Sequence, residues 1–144
     1  MSQLIDEFKN IYANDKATRN ADLGKLYDQS AVFVDPIHQI DGIQNLKSYI
    51  DQMYANVIDC QFVYLGEWVS DSDAIVKWDM KFRHKKLAGG KQIVVRGASH
   101  IVFSEKITYH EDIYDMGAMI YEHVPMLGKT IHWLKNRLFK GSLI

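Results

Sequence analysis

Two short stretches of the chain hold the side chains best suited to moving protons. In the first, Phe33-Val34-Asp35-Pro36-Ile37-His38, an aspartate closes an apolar run. A carboxylate carried into an apolar interior loses hydration and becomes a better proton acceptor than one in water. An aspartate at such a place also accepts backbone N–H groups in a turn, and the sequence leaves both uses of Asp35 open. In the second stretch His110, Asp112 and Tyr114 stand two apart, so a strand would place them on one face as proton donor, acceptor and hydroxyl. The alternate set, Ile107, Tyr109 and Ile113, is the more apolar one, and pattern alone turns that set inward and His110 and Asp112 toward water.

Other chemistries lack their signatures. The chain has no Gly-x-Ser-x-Gly elbow, no phosphate-cradling P-loop and no dinucleotide fingerprint, and Gly89-Gly90-Lys91 reads as a turn. Histidines at 38, 84, 100, 110, 123 and 132 never take the His-x-x-x-His spacing of a helix-borne metal site. No metal and no other cofactor is therefore expected. Cys60, the single cysteine, has no internal disulfide partner and sits in a strand-like run, where it reads as a small buried hydrophobe.

The elements that position these residues follow from hydrophobic period. Leu4, Ile5, Phe8, Ile11 and Tyr12 share one helical face; polar residues 14–20 interrupt it, and Leu23, Leu26 and Tyr27 resume a shorter helix. Residues 31–34 form a compact strand that Asp35-Pro36 stops. After Asp41-Gly42, the spacing of Ile43, Leu46, Tyr49, Ile50 and Met53 predicts a third helix. From residue 59 the period falls to two, and runs at about 60–69, 74–83, 92–104 and 107–115 read as an antiparallel meander. Within it Trp78, Met80 and Phe82 alternate with Lys77, Asp79, Lys81 and Arg83, so the aromatic set faces the helices. The next run puts Ser99 among inward positions and Arg96 and His100 on the opposite face, with Gly97 suggesting a bulge or bend. Beyond residue 116 the pattern is helical again, split by Pro125, with a stripe of Leu127, Ile131, Leu134 and Leu138.

Composition bounds the function classes. The 144 residues are 47% hydrophobic and 24% charged, enough for one globular domain and wrong for a disordered or fibrous chain. A formal charge of -1 gives no basic field, so nucleic acid is not an expected partner. The start of the chain lacks the basic head and apolar core of a targeting peptide, and no apolar run reaches the length of a membrane span, which reads as a cytoplasmic protein. Helices followed by a curled sheet give an α+β class.

The run from Leu26 to Pro36, followed by Asp41-Gly42-Ile43 and an amphipathic helix, resembles the start of SnoaL-like proteins in the nuclear transport factor two-like superfamily, which includes ketosteroid isomerases and limonene epoxide hydrolases. Residues 106–115 resemble that superfamily's last strand. The resemblance implies a single domain over 1–144 with a cone-shaped, curved antiparallel sheet wrapped around N-terminal helices; the C-terminal helical extension over about 116–140 lies beyond the part the superfamily shares and resembles a tail found in a subset of SnoaL-like proteins. It also implies places for chemistry. Asp35 matches the isomerases' general base, and Tyr12 falls close to their oxyanion-binding Tyr; their protonated Asp partner is replaced by Ser99. On the last strand the matching pocket positions are His110, Asp112 and Tyr114, which reverses the facing that periodicity favours. Asp112 matches an Asp of the epoxide hydrolases, but their Arg and Asp on a central strand fall on Trp78 and Met80, or on Lys77 and Asp79 with a one-residue slip.

The expectation is an apolar pocket lined by Tyr12, Phe33, Trp78, Met80, Phe82, Ser99, His110 and Tyr114, with Asp35, Asp112 and His38 at its polar end. It would take a cyclic apolar small molecule, and an isomerase or cyclase reaction would use Asp35 for proton transfer, with Tyr12 and His110 on the developing oxyanion. The alternative is a noncatalytic module for a hydrophobic ligand or a protein partner. The charged outer strand face suggests a homodimer. For the basic C-terminal helix, packing on its own domain is favoured over a lid, a dimer contact or contact with anionic lipid.

Overall fold

In the computed structural model, residues 2–13 and 16–139 are described. Helices α1 (Ser2–Ala13) and α2 (Lys16–Leu26) precede strand β1 (Tyr27–Val34), a short β2 (Gln39–Asp41) and helix α3 (Ile43–Tyr54). Four long strands follow: β3 (Val57–Val69), β4 (Asp73–His84), β5 (Ile93–Phe103) and β6 (Ile107–Tyr114). The chain then turns through α4 (Met116–Met119) and a one-turn segment at Tyr121–His123 into α5 (Leu127–Phe139). The strands form one sheet in the order β2-β1-β6-β5-β4-β3. All pairs are antiparallel except β1 with β6, which run parallel.

The helices lie against one face of this sheet, and period-two alternation explains why. Ala74, Val76, Trp78, Met80 and Phe82 on β4, with Ile93, Val95, Ile101 and Phe103 on β5, are buried against Ile5, Phe8, Ile11, Leu23, Leu26, Leu46 and Ile50 from the helices. Burying each such large side chain contributes about 1.5–3 kcal/mol.

Four local expectations are corrected. Helix α2 starts at Lys16, inside the polar stretch expected to interrupt the helices; residues 14 and 15 of that stretch lie outside the described residues. Arg19 and Leu23 bury one face of it, so its polar residues do not prevent it from packing. Tyr27 opens β1 instead of closing a helix. Gly97 carries no bulge, since its register to Trp78 and to Tyr114 is continuous. Its lack of a side chain makes room for the Trp78 ring: a Cβ there would lie 2.5 Å from Trp78 Cη2 and 2.8 Å from the Ile113 carbonyl oxygen.

The fourth correction concerns β6. Phe103 pairs with Ile107, but Val102 pairs with Tyr109, so Thr108 is an extra residue that shifts the strand's phase by one. Ile107 is therefore buried as its apolar character predicts, and His110 is buried as well, while Ile113 is exposed. Period-two reasoning fails here because the period is interrupted. The resemblance had the facing of His110 correct.

The C-terminal segment packs α5 on the Tyr121–His123 turn, where Glu122 meets Lys135 at 3.1 Å and His132 at 3.6 Å. The stripe of Leu127, Leu134 and Leu138 stays exposed. Residue 140, included in the expected extension, lies outside the described residues. Among the described residues, no helix is long and apolar enough to cross a membrane.

Candidate functional site

Between sheet and helices lie two adjoining chambers. The inner one, about 50 Å³, is lined by Tyr12, Phe33, Asp35, Trp78, Met80, Ser99, His110, Asp112 and Tyr114 together with aromatic residues of α1 and β3. The outer one, about 280 Å³, is lined by Tyr49, Cys60, Phe82, His84 and Leu87 among others. Met53, Tyr54, Met80, Tyr114 and Met119 border both and so stand between them. Of the residues expected in the pocket, Phe82 stands in the outer chamber and His38 lines neither, its half-exposed ring meeting the Tyr49 hydroxyl at 3.3 Å.

The polar groups of the inner chamber form one connected chain. Trp78 Nε1 donates to Ser99 Oγ at 3.0 Å, and Ser99 Oγ donates to Asp112 Oδ1 at 2.6 Å. The same oxygen meets His110 Nε2 at 2.6 Å; His110 Nδ1 meets the Tyr27 hydroxyl at 2.6 Å, and that hydroxyl meets Tyr12's at 2.8 Å. The geometry comes directly from register: Ser99 pairs with Asp112, and Trp78 with Gly97, two residues before Ser99 on β5. Phe8 and Phe33 pack edge-on against the His110 ring at 5.3 and 4.9 Å, and Tyr27 stacks on it at 5.9 Å.

Asp35 is differently engaged. Its Oδ1 accepts the backbone N–H groups of Ile37 and His38 at 2.9 and 2.8 Å, and its Oδ2 accepts the Tyr49 hydroxyl. The side chain is 1% exposed, against 22% for Asp112. Of the two uses that the sequence leaves open for Asp35, the structure displays the turn acceptor. Asp112 keeps one oxygen in the fixed chain, and its Oδ2 has no hydrogen-bond partner among the described residues.

The cavity holds its tyrosines neutral. Burial pushes the Tyr12 hydroxyl well up, opposed in part by its bond to Tyr27, and Tyr27 itself is raised well above its ordinary value by burial and by Tyr12. Burial raises Tyr114 too, with the Asp35 and Asp112 carboxylates adding to it. Tyr49 is raised by burial and then by its bond to Asp35. The Cys60 thiol in the outer chamber is pushed up to about 11 by burial. Tyr27, Tyr49, Phe62 and Tyr64 escape the sequence reading. Tyr49 reads as one more apolar position on the α3 stripe, and Tyr27 reads as helix. Arg19, on α2, is also unforeseen, and its guanidinium stands 4.2 Å from the Tyr54 ring centroid. Among the described residues no group of three His, Cys, Asp or Glu side chains is arranged to hold a metal ion.

A curved sheet closed by N-terminal helices around an apolar chamber with a few converging polar groups is the architecture of the nuclear transport factor two-like proteins. A family model for the SnoaL-like domain matches residues 8–110, and the chain belongs to that family. Solved structures agree on the fold. A protein from Catenulispora acidiphila with a ketosteroid isomerase-like fold, in complex with trimethylamine, is 10% identical with a TM-score of 0.70, over 83% of this chain and 90% of that one. A nuclear transport factor two-like protein of unknown function from Exiguobacterium is 18% identical with a TM-score of 0.66, over 78% and 98%. TerC, co-crystallised with polyporic acid, is 13% identical with a TM-score of 0.69, over 81% and 94%. No curated protein matches the chain.

Proposed function

We propose that this SnoaL-like chain binds a cyclic, mostly apolar small molecule and moves a proton on it by acid–base chemistry that draws on no cofactor, as an isomerase or cyclase does. The observation that carries this reading is Asp112. A carboxylate with one oxygen fixed by Ser99 and His110 and the other open to an apolar chamber is both positioned and available. The Tyr114 hydroxyl, on a side chain that borders both chambers and held neutral by burial, can donate to a ligand oxygen. Asp35 is the proton carrier that the resemblance implies, but three donors and burial hold it in its turn. In this proposal it keeps the floor of the chamber in place and Asp112 moves the proton. That TerC was co-crystallised with an organic acid supports a small organic ligand in this fold.

Deuterium exchange into a panel of cyclic ketones tests it. The parent protein should exchange an α-proton faster than the Asp112→Asn variant, by the 100-fold or more that general acid–base groups supply, or roughly 10². Equal rates in parent and variant refute the catalytic reading.

The second reading, a noncatalytic ligand carrier, is favoured by one observation: both His110 nitrogens are already occupied by protein groups, which leaves the chamber few free polar atoms. A homodimer through the outer sheet face is also proposed. Arg96 pairs with Asp79 at 2.8 Å, His100 with Asp73 at 3.0 Å, and Arg83 with Asp59, all within the chain. Exposed Trp68, Val94 and Ile113 would then carry the contact, with Lys77 and Lys81 adding charge. Sedimentation in low and high salt separates an apolar contact, which survives, from a charged one, which weakens.

A further inference from the structure

The polarity of the buried chain can be deduced from its end. An indole N–H only donates, so Trp78 occupies a lone pair of Ser99 Oγ and leaves the Ser99 proton for Asp112. Asp112 Oδ1 then accepts from both Ser99 and His110, which places a proton on His110 Nε2. In neutral His110 the other nitrogen must accept; the one proton of Tyr27 is spent on Nδ1, and Tyr12 must donate to Tyr27. Tyr12 therefore shows the cavity lone pairs. If His110 becomes imidazolium, Nδ1–H donates to Tyr27, Tyr27 donates to Tyr12, and the Tyr12 proton turns toward the cavity.

We infer that His110, acting through Tyr27, sets whether Tyr12 offers the ligand an acceptor or a donor, so that binding an oxyanion at Tyr12 is coupled to uptake of one proton by His110. This rests on the proposal that an oxygen-bearing ring enters the inner chamber. Tyr27 touches no ligand and is a positioning residue. The titratable groups that face His110 are Tyr12 from α1, Tyr27 from β1 and Asp112 from its own strand. Asp35 and Tyr114 line the same chamber, and the Arg19 guanidinium on α2 stands 6.0 Å from the Tyr12 ring centroid. The step moves only protons: one enters from solvent onto Nδ1, and two hydroxyl hydrogens reverse direction without leaving their oxygens.

The probe is 4-nitrophenol, whose phenolate is yellow, so absorbance reports the form bound. Calorimetry at about pH 9, at which histidine ¹⁵N spectra first verify that the imidazole is neutral, in two buffers of different ionisation enthalpy counts protons taken up. The parent protein should bind the phenolate with uptake of close to one proton, and its affinity should fall about tenfold per pH unit as pH rises. Tyr27→Phe should bind the phenolate with uptake near zero, because Tyr12 is then free to donate whatever the state of His110. Tyr12→Phe, which leaves the His110–Tyr27 bond in place, should also take up no proton. Histidine ¹⁵N spectra of the ligand-free parent should show neutral His110 protonated at Nε2. Uptake that survives Tyr27→Phe, phenolate binding without uptake, binding only of the neutral phenol or not at all, or a proton on Nδ1 in neutral His110 each overturns the inference. None of these touches the role of Asp112, which the deuterium exchange decides separately.

Discussion

Gly97→Ala should be among the most damaging single-methyl changes in the protein. The added Cβ would sit 2.5 Å from Trp78 Cη2, 2.8 Å from its Cζ3 and 2.8 Å from the Ile113 carbonyl oxygen, distances no real Cβ keeps. The indole has little room to withdraw: it is 3% exposed, its ring stands edge-on to Phe62 at 5.5 Å, and Tyr114 is 6.3 Å away. Forcing it aside costs about 1–3 kcal/mol of overpacking, and losing its bond to Ser99 adds about 1 kcal/mol. A total near 3 kcal/mol lowers the melting temperature of a chain this size by about 10 °C. Thermal unfolding followed by near-ultraviolet circular dichroism reads both the drop and the altered indole environment. Gly24→Ala is the matched control, because its nearest neighbour would be the flexible Lys47 ammonium at 4.0 Å and it lies within α2. It should stabilise by up to about 1 kcal/mol through helix propensity. If the two variants melt within about 1 °C of each other, the packing argument for Gly97 fails.

Alkaline unfolding should be steep. Tyr12, Tyr27 and Tyr54 are raised above their unfolded value near 10 by burial, so the unfolded chain loses their protons first and stability falls as pH rises past that value. Each contributes a loss of about 1.4 kcal/mol per pH unit, about 4 kcal/mol together, so tyrosinate absorbance should appear in step with unfolding and not before it. Below that pH their contribution is fully present. At Asp35, Asn keeps an oxygen for the Ile37 and His38 amides whereas Ala leaves both unpaired, so Asp35→Ala should lose about 1–3 kcal/mol and Asp35→Asn clearly less. An Asn variant that melts above the parent would show instead that Asp35 is held at a cost in stability and belongs to the chemistry.

Much of this architecture is readable from residue order. The alternation of Trp78, Met80 and Phe82 with charged residues fixes the inner face of β4, and the α3 stripe is found in its place. What escapes is set by events that no periodicity carries. Thr108 inserts one residue and reverses the phase of β6. Tyr27, adjoining the apolar Leu26, looks like the end of a helix until the sheet claims it through its pairing with Ile107. The hydrogen-bond chain is likewise invisible, because its members come from α1, β1, β4, β5 and β6, and only strand register together with the docking of α1 on the sheet brings them within 3.0 Å. Asp35 was legible as a residue of note, but its partners in the turn could be known only from the course of the backbone.

The extra residue at Thr108 also bears on how such a pocket changes over generations. Were Thr108 taken into regular pairing opposite Val102 instead of being bulged out, Tyr109, Glu111 and Ile113 would turn toward the chamber and His110 and Asp112 out to the surface. The two faces of β6 amount to alternative alphabets for the same wall, and the bulge selects between them. Loss of Thr108 itself would leave Val102 opposite Tyr109 and Ile101 opposite His110, so the present lining survives removal of the very residue whose bulging admits it.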